Sequence, residues 1–121
     1  MPDSRREWGT DIEKAIAVHL EGQGYTILAH QYQTPYGEID LVCRDGDEIV
    51  FVEVKARRSR AFGYPEESVT TRKLGHLVKS AQSYLQRLDA DQAWRIDVIA
   101  VEAGTSFGIE HIKAVDIPNR F

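Results

Sequence analysis

Residues 38–56 read Glu-Ile-Asp-Leu-Val-Cys-Arg-Asp-Gly-Asp-Glu-Ile-Val-Phe-Val-Glu-Val-Lys-Ala. These are two β-forming runs on either side of an Asp-Gly pair, and the way they pair decides the fold. Taking Asp45-Gly46 as a two-residue hairpin turn aligns Arg44 with Asp47, Val42 with Ile49, Asp40 with Phe51 and Glu38 with Glu53. Successive strand side chains point to opposite faces, so one face collects Ile39, Leu41 and Cys43 with Val50, Val52, Val54 and Ala56. The other face holds Glu38, Asp40, Glu53 and Lys55. Asp40 and Glu53 become diagonal neighbours, within reach of one bridging cation. A loop of odd length would set Asp40 against Val52 and mix charge into the apolar face, so the hydrophobic pattern itself selects the parity.

Working outward, Thr10-Asp11-Ile12-Glu13 has the form of a capping box, and Ile12, Ile16 and Leu20 follow at helical spacing. Gly22 to Gly24 stop this first helix; they follow a helix rather than a strand and do not continue into a dinucleotide-binding fingerprint. Tyr25 to Gln33 is rich in β-formers, and Thr34-Pro35-Tyr36-Gly37 is a turn. Strands are predicted over Glu38 to Arg44 and Glu48 to Ala56. Beyond a basic loop at residues 57–67, Leu74, Leu77, Val78, Ala81, Leu85 and Leu88 trace one face of a long second helix. Trp94 to Val101 is a nearly continuous apolar strand after a helical crossover, which predicts parallel pairing with cover on both faces. Phe107 to Lys113 is a last strand and Asp116 to Phe121 a tail. The expectation is one α/β domain over residues 1–121, with a mixed β-sheet, flanking helices and the order αβββαββ.

Leu, Ile, Val and Phe supply 31 of the 121 residues, enough apolar surface to exclude disorder for the bulk of the chain. No apolar run approaches the roughly 20 residues of a bilayer span, and Met1 to Arg6 lacks the apolar segment of an export signal. A lone cysteine, Cys43, reads as a small buried hydrophobe in a reducing compartment, so a cytoplasmic location away from membranes is expected. His19, His30, His76 and His111 have no paired ligand spacing. No nucleophile elbow or phosphate-binding loop occurs, which leaves acyl transfer and nucleotide hydrolysis without support.

A net charge of −4 and a pI near 5.5 argue against a protein that coats nucleic acid by bulk attraction. The charge is unevenly spread, however. Between Lys55 and Lys79 there are seven basic side chains (Lys55, Arg57, Arg58, Arg60, Arg72, Lys73 and Lys79) against Glu66 and Glu67. Arg57, Arg58 and Arg60, interleaved with Phe62 and Tyr64, are candidates to grip phosphates, and Lys73 and Gln82 to approach the same substrate. Clustered carboxylates beside a lysine have two readings: a solvated face with weak ion pairs, or a site for a hard cation such as Mg²⁺.

Asp40 followed by Glu53-Val54-Lys55 resembles the D-x(n)-E-x-K signature of the PD-(D/E)xK nuclease superfamily. More narrowly, Gly37-Glu38-Ile39-Asp40-Leu41-Val42, Val50-Phe51-Val52-Glu53-Val54-Lys55-Ala56-Arg57, Phe62-Gly63, Lys73, Ala81, Tyr84 and Arg95-Ile96-Asp97-Val98 resemble the YraN-like family of uncharacterised bacterial proteins, which is similar to archaeal Holliday-junction resolvases. The likeness runs from about Gly9 to Ala114. It implies a restriction-endonuclease-like fold, Asp40, Glu53 and the Val54 carbonyl as ligands of Mg²⁺ or Mn²⁺, and Lys55 as the catalytic lysine. Glu13 matches an acidic residue that resolvase-like members add to the catalytic and metal site; the capping box explains it equally well. DNA, including branched DNA, is the implied substrate and a homodimer the implied assembly. A catalytically silent nucleic-acid-binding module of the same fold is the alternative. Ile39 stands where the signature has proline.

Overall fold

The computed structural model describes residues 11–57, 70–88, 91–102 and 108–117, with the side chains of residues 56, 57 and 102 left out. Two helices and five strands follow the order α1 (Asp11–Gly22), β1 (Thr26–Thr34), β2 (Gly37–Asp45), β3 (Glu48–Arg57), α2 (Thr71–Leu85), β4 (Trp94–Glu102) and β5 (Gly108–Ile112). This is the predicted mixed α/β arrangement. The strands lie side by side as β1-β2-β3-β4-β5. All neighbours are antiparallel except β3 and β4, which the α2 crossover makes parallel.

Each face of the sheet is covered. Leu41, Cys43, Val50, Val52, Ile99 and Val101 pack with Ile16 and Leu20 of α1. On the other side Val42, Ile49, Phe51 and Ile96 pack with Leu74, Leu77, Val78 and Ala81 of α2. Burial from both sides is why β3 and β4 read as almost unbroken apolar runs. α2 is capped at its start by Thr70, whose hydroxyl accepts the Lys73 N–H at 3.1 Å.

The structure corrects several expectations. The hairpin turn sits one residue later than predicted: Asp45 pairs with Glu48, and the register runs Arg44 with Ile49, Val42 with Phe51 and Leu41 with Val52. Gly46, at φ +61°, is thus the first central residue, where a type II′ turn needs a positive φ. Arg95 favours this placement, because its guanidinium binds Asp45 at 3.0 Å and Glu48 at 2.6 Å. A one-residue move of the turn shifts every partner by two, so the faces keep their parity.

Ile39 leaves the face expected for it. It joins the α2 cluster while Leu41 joins the α1 cluster, so the in–out alternation breaks at Asp40. On the neighbouring strand Gln31, between the pairs His30–Leu41 and Tyr32–Ile39, has a left-handed φ of 48°. Leu88 lies past the end of α2 and is exposed rather than on its buried face. Part of the expected tail is packed: Ile117, with Val115 just before the tail, lies against the α2 cluster, and the Val115 N–H donates to the Ile96 carbonyl.

Candidate metal and phosphate site

In a parallel β-α-β crossover the helix returns antiparallel to the strands, so the N-terminus of α2 lies at the carboxyl end of β3. Open α/β sheets bind ligands at such strand ends. Here a cleft of about 310 Å³ is lined by Tyr36, Glu38, Asp40, Glu53, Lys73 and His76, among others. Asp40 and Glu53 therefore share one wall, as the register argument required. Carrying the Leu41–Val52 pairing one step further sets Asp40 opposite Glu53 rather than diagonal to it.

Asp40 is held by its own strand break. The β2–β3 ladder ends at Leu41–Val52, and the N–H of Val54 donates instead to Asp40 Oδ2 at 2.8 Å. Burial, then the nearby Glu53 carboxylate, push the Asp40 carboxyl up to about 7, against the Val54 hydrogen bond; Glu13 and Glu38 add to the rise. Glu38 thus shapes the field at Asp40.

Glu53 is buried at 7% exposure. Its Oε1 lies 3.2 Å from the Lys55 ammonium and 3.1 Å from that of Lys73. Burial raises the Glu53 carboxyl, and Lys73 opposes that rise. Lys73, expected at a phosphate, is thus a direct partner of the carboxylate. The crossover direction carried the signal: the first turn of α2 had to lie beside Glu53 and Lys55. His76 and Ser80 follow Lys73 at helical spacing along the same wall, and neither was singled out from the sequence. Gln82 lies off this cleft, in an adjoining hollow with Tyr36 and Lys79.

The Val54 side chain packs towards the α1 cluster, leaving its backbone to serve the site. Arg57 ends β3, but its side chain and all of Arg58 and Arg60 lie outside the described residues, as do Phe62, Tyr64 and the Thr10 of the capping box. Among the described residues no three His, Cys, Asp or Glu side chains form a ready-made cage for a metal ion. Two carboxylates and a backbone carbonyl, completed by water, still suit Mg²⁺, which retains much of its hydration.

A second polar cluster lies on the α1 side of the sheet and extends to the β2–β3 turn. Asp97 is fully buried and accepts from Arg95 Nε at 3.0 Å, shares a 2.7 Å hydrogen bond with His111 Nε2 and accepts the Ala114 N–H at 2.9 Å. Burial alone would raise this carboxyl, but the bonds from His111, Arg95 and Ala114 hold it below its ordinary value. Arg95 also reaches Tyr25 Oη at 2.7 Å. The network ties the β2–β3 turn to β4 and β5. Cys43 is core as expected, its thiol pushed up to about 12, first by burial.

Comparison with known proteins matches residues 12–101 to the model of the uncharacterised protein family UPF0102. A UPF0102 protein of Syntrophomonas wolfei is 48% identical over 110 residues, covering 88% of this chain and 95% of that protein. One from Dehalococcoides mccartyi is 43% identical over 103 residues, covering 84% and 85%. One from Chloroflexus aurantiacus is 43% identical over 118 residues, covering 94% and 96%.

Proposed function

The chain belongs to the uncharacterised protein family UPF0102, the YraN-like group its motifs resemble, and within that family we propose that it is a metal-dependent endonuclease acting on DNA, with branched and flapped structures as substrates. One observation carries the reading: Asp40 and Glu53 share a cleft in which burial and the Glu53 charge push Asp40 up to about 7. Carboxylates perturbed by burial and a charged neighbour, converging in a cleft, are candidates for a functional site. The likeness of Asp40 and Glu53-Val54-Lys55 to the nuclease signature supplies the reaction class.

The donor set fits a hard cation, with Asp40, Glu53 and the Val54 carbonyl as ligands and Glu13 adding negative charge nearby. When bound, Mg²⁺ or Mn²⁺ polarises a phosphoryl oxygen and makes water acidic enough to attack at neutral pH. The protein's own groups do the rest. The Val54 N–H holds Asp40 in one orientation. Lys55, anchored on Glu53 Oε1, has an ammonium placed to orient a water or to stabilise charge developing on the phosphate. Lys73 is half exposed on the same oxygen and can transfer its hydrogen bonds to an incoming phosphate. Arg57, Arg58 and Arg60 follow β3 directly in the chain and are proposed to grip the flanking phosphates.

The test is cleavage of Holliday junctions, flaps and linear duplex with Mg²⁺ or Mn²⁺, run beside Glu53→Gln. Cutting by the natural chain that vanishes in the variant supports the site. Cutting that survives the substitution refutes it, and DNA binding without any cutting replaces the nuclease with a silent binding module.

A further inference from the structure

Beside the carboxylate cleft, along α2, lies a hollow of about 430 Å³, lined by Pro35, Tyr36, Lys79, Gln82, Ser83 and Gln86. Tyr36 belongs to both. The two halves differ in charge. The first carries Glu38, Asp40 and Glu53 against the single ammonium of Lys73; the second has no acidic lining side chain and presents one ammonium, two amides and two hydroxyls. Among the described residues Lys79 has no carboxylate partner. A polyanion is therefore unopposed in the second half and needs a cation in the first.

Tyr36 stands at the junction, 51% exposed. A single exposed aromatic is ordinary on a protein surface, but the turn that carries this one is held in position. Thr34 Oγ1 donates to the Gly37 carbonyl at 2.7 Å, accepts the Tyr36 N–H at 3.1 Å and lies 2.9 Å from the hydroxyl of Ser80. Ser80 is buried on α2, so the turn is pinned to the helix. Gly37, at φ +137°, allows the tight return into β2. The Lys79 ammonium lies over the Tyr36 ring, 5.9 Å from its centroid. An aromatic platform beside a lone cation, in a channel of amides, is the chemistry that binds single strands: a base stacks on the ring and its phosphate meets the cation.

The geometry points to an unpaired DNA strand in this hollow, with a base on Tyr36, a phosphate on Lys79 and the amides of Gln82 and Gln86 along the strand. The next phosphate would then enter the carboxylate cleft; this step alone rests on the nuclease reading. In an intact duplex each base is already stacked on both sides, so the ring has no free face to meet. The substrate class narrows accordingly to flaps and branches with unpaired nucleotides beside the scissile bond.

The test is fluorescence anisotropy of the full chain with a labelled oligothymidine, a flap and a blunt duplex, in EDTA so that nothing is cut. Tyr36→Ala should weaken binding of the oligothymidine and the flap roughly tenfold, Tyr36→Phe by less than about twofold, and neither should alter binding to the blunt duplex. Lys79→Gln should weaken oligothymidine binding and lower its salt slope by about 0.7. No single-strand binding by the natural chain overturns the inference, as does Tyr36→Ala binding like the natural chain, or losing as much on blunt duplex. Matching circular dichroism of the two Tyr36 variants excludes misfolding. The two readings fail separately. Tyr36-dependent binding by a chain that cuts nothing retains the groove and removes the nuclease, whereas cutting indifferent to Tyr36 does the reverse.

Discussion

Asp40→Asn should stabilise the metal-free protein at pH 8, although it removes a ligand. The Asn amide oxygen can still accept the Val54 N–H, which Asp40 Oδ2 accepts at 2.8 Å, so packing and hydrogen bonding are kept while the charge is lost. The carboxyl rises from 3.8 to about 7 on folding, first through burial and then through Glu53. Between those values the folded state binds a proton that the unfolded state has released. The stability contribution of Asp40 is therefore full below about pH 4 and is lost as pH rises to about 7. About 3 pK units correspond to about 4 kcal/mol, and water in the open cleft should reduce that to roughly 2 kcal/mol. In urea at pH 8 the variant should thus unfold later than the natural chain, by about 2 kcal/mol, with the gap closing towards pH 4. Adding Mn²⁺ should stabilise the natural chain more than the variant. Equal stabilities at pH 8, or a variant that is weaker at every pH, would show that Asp40 is not held against its ionisation.

Asp97 should behave in the opposite sense, because its carboxyl is lowered on folding: its contribution is present above about pH 4 and disappears as pH falls through its folded value. Arg95→Ala should destabilise the protein by about 3 to 5 kcal/mol in urea, since a fully buried carboxylate loses its main cation. Calorimetry with Mn²⁺ should give a weak isotherm for the natural chain and a weaker one for Asp40→Ala; identical isotherms would remove the metal from the account. Lys55→Ala should keep Mn²⁺ binding and abolish cutting, while Arg57→Ala should weaken DNA binding across all substrates and lower the salt slope by about one, checked by anisotropy across a salt series.

What could be read from the sequence was parity, and parity is enough to find the carboxylates. Moving the turn from Asp45-Gly46 to Gly46-Asp47 changes every partner by two residues, which alters who faces whom but not which face a side chain takes. Asp40 and Glu53 therefore come together in either register. Ile39 escapes the rule because alternation fails where β2 parts from β3, and that failure also frees the Val54 N–H for Asp40. Neither Ile39 nor Asp40 advertises the break, which lies across the sheet from the left-handed Gln31. The second helix face was within reach, since Val42, Ile49 and Phe51 are apolar positions on the face assigned to the charges and require a cover. Given α2 as that cover, the handed crossover brings Lys73 to Glu53. The Arg95 network was less accessible: Tyr25, Asp45 and Glu48 lie far from Arg95 in sequence, and each would serve equally well as a solvated turn residue. Local rules thus located the strained pair and not the satisfied network. A carboxylate on a buried apolar strand contradicts its own neighbours; Arg95, His111 and the Ala114 N–H resolve that for Asp97, whereas Asp40 stays raised, and contradictions left unresolved concentrate at functional sites.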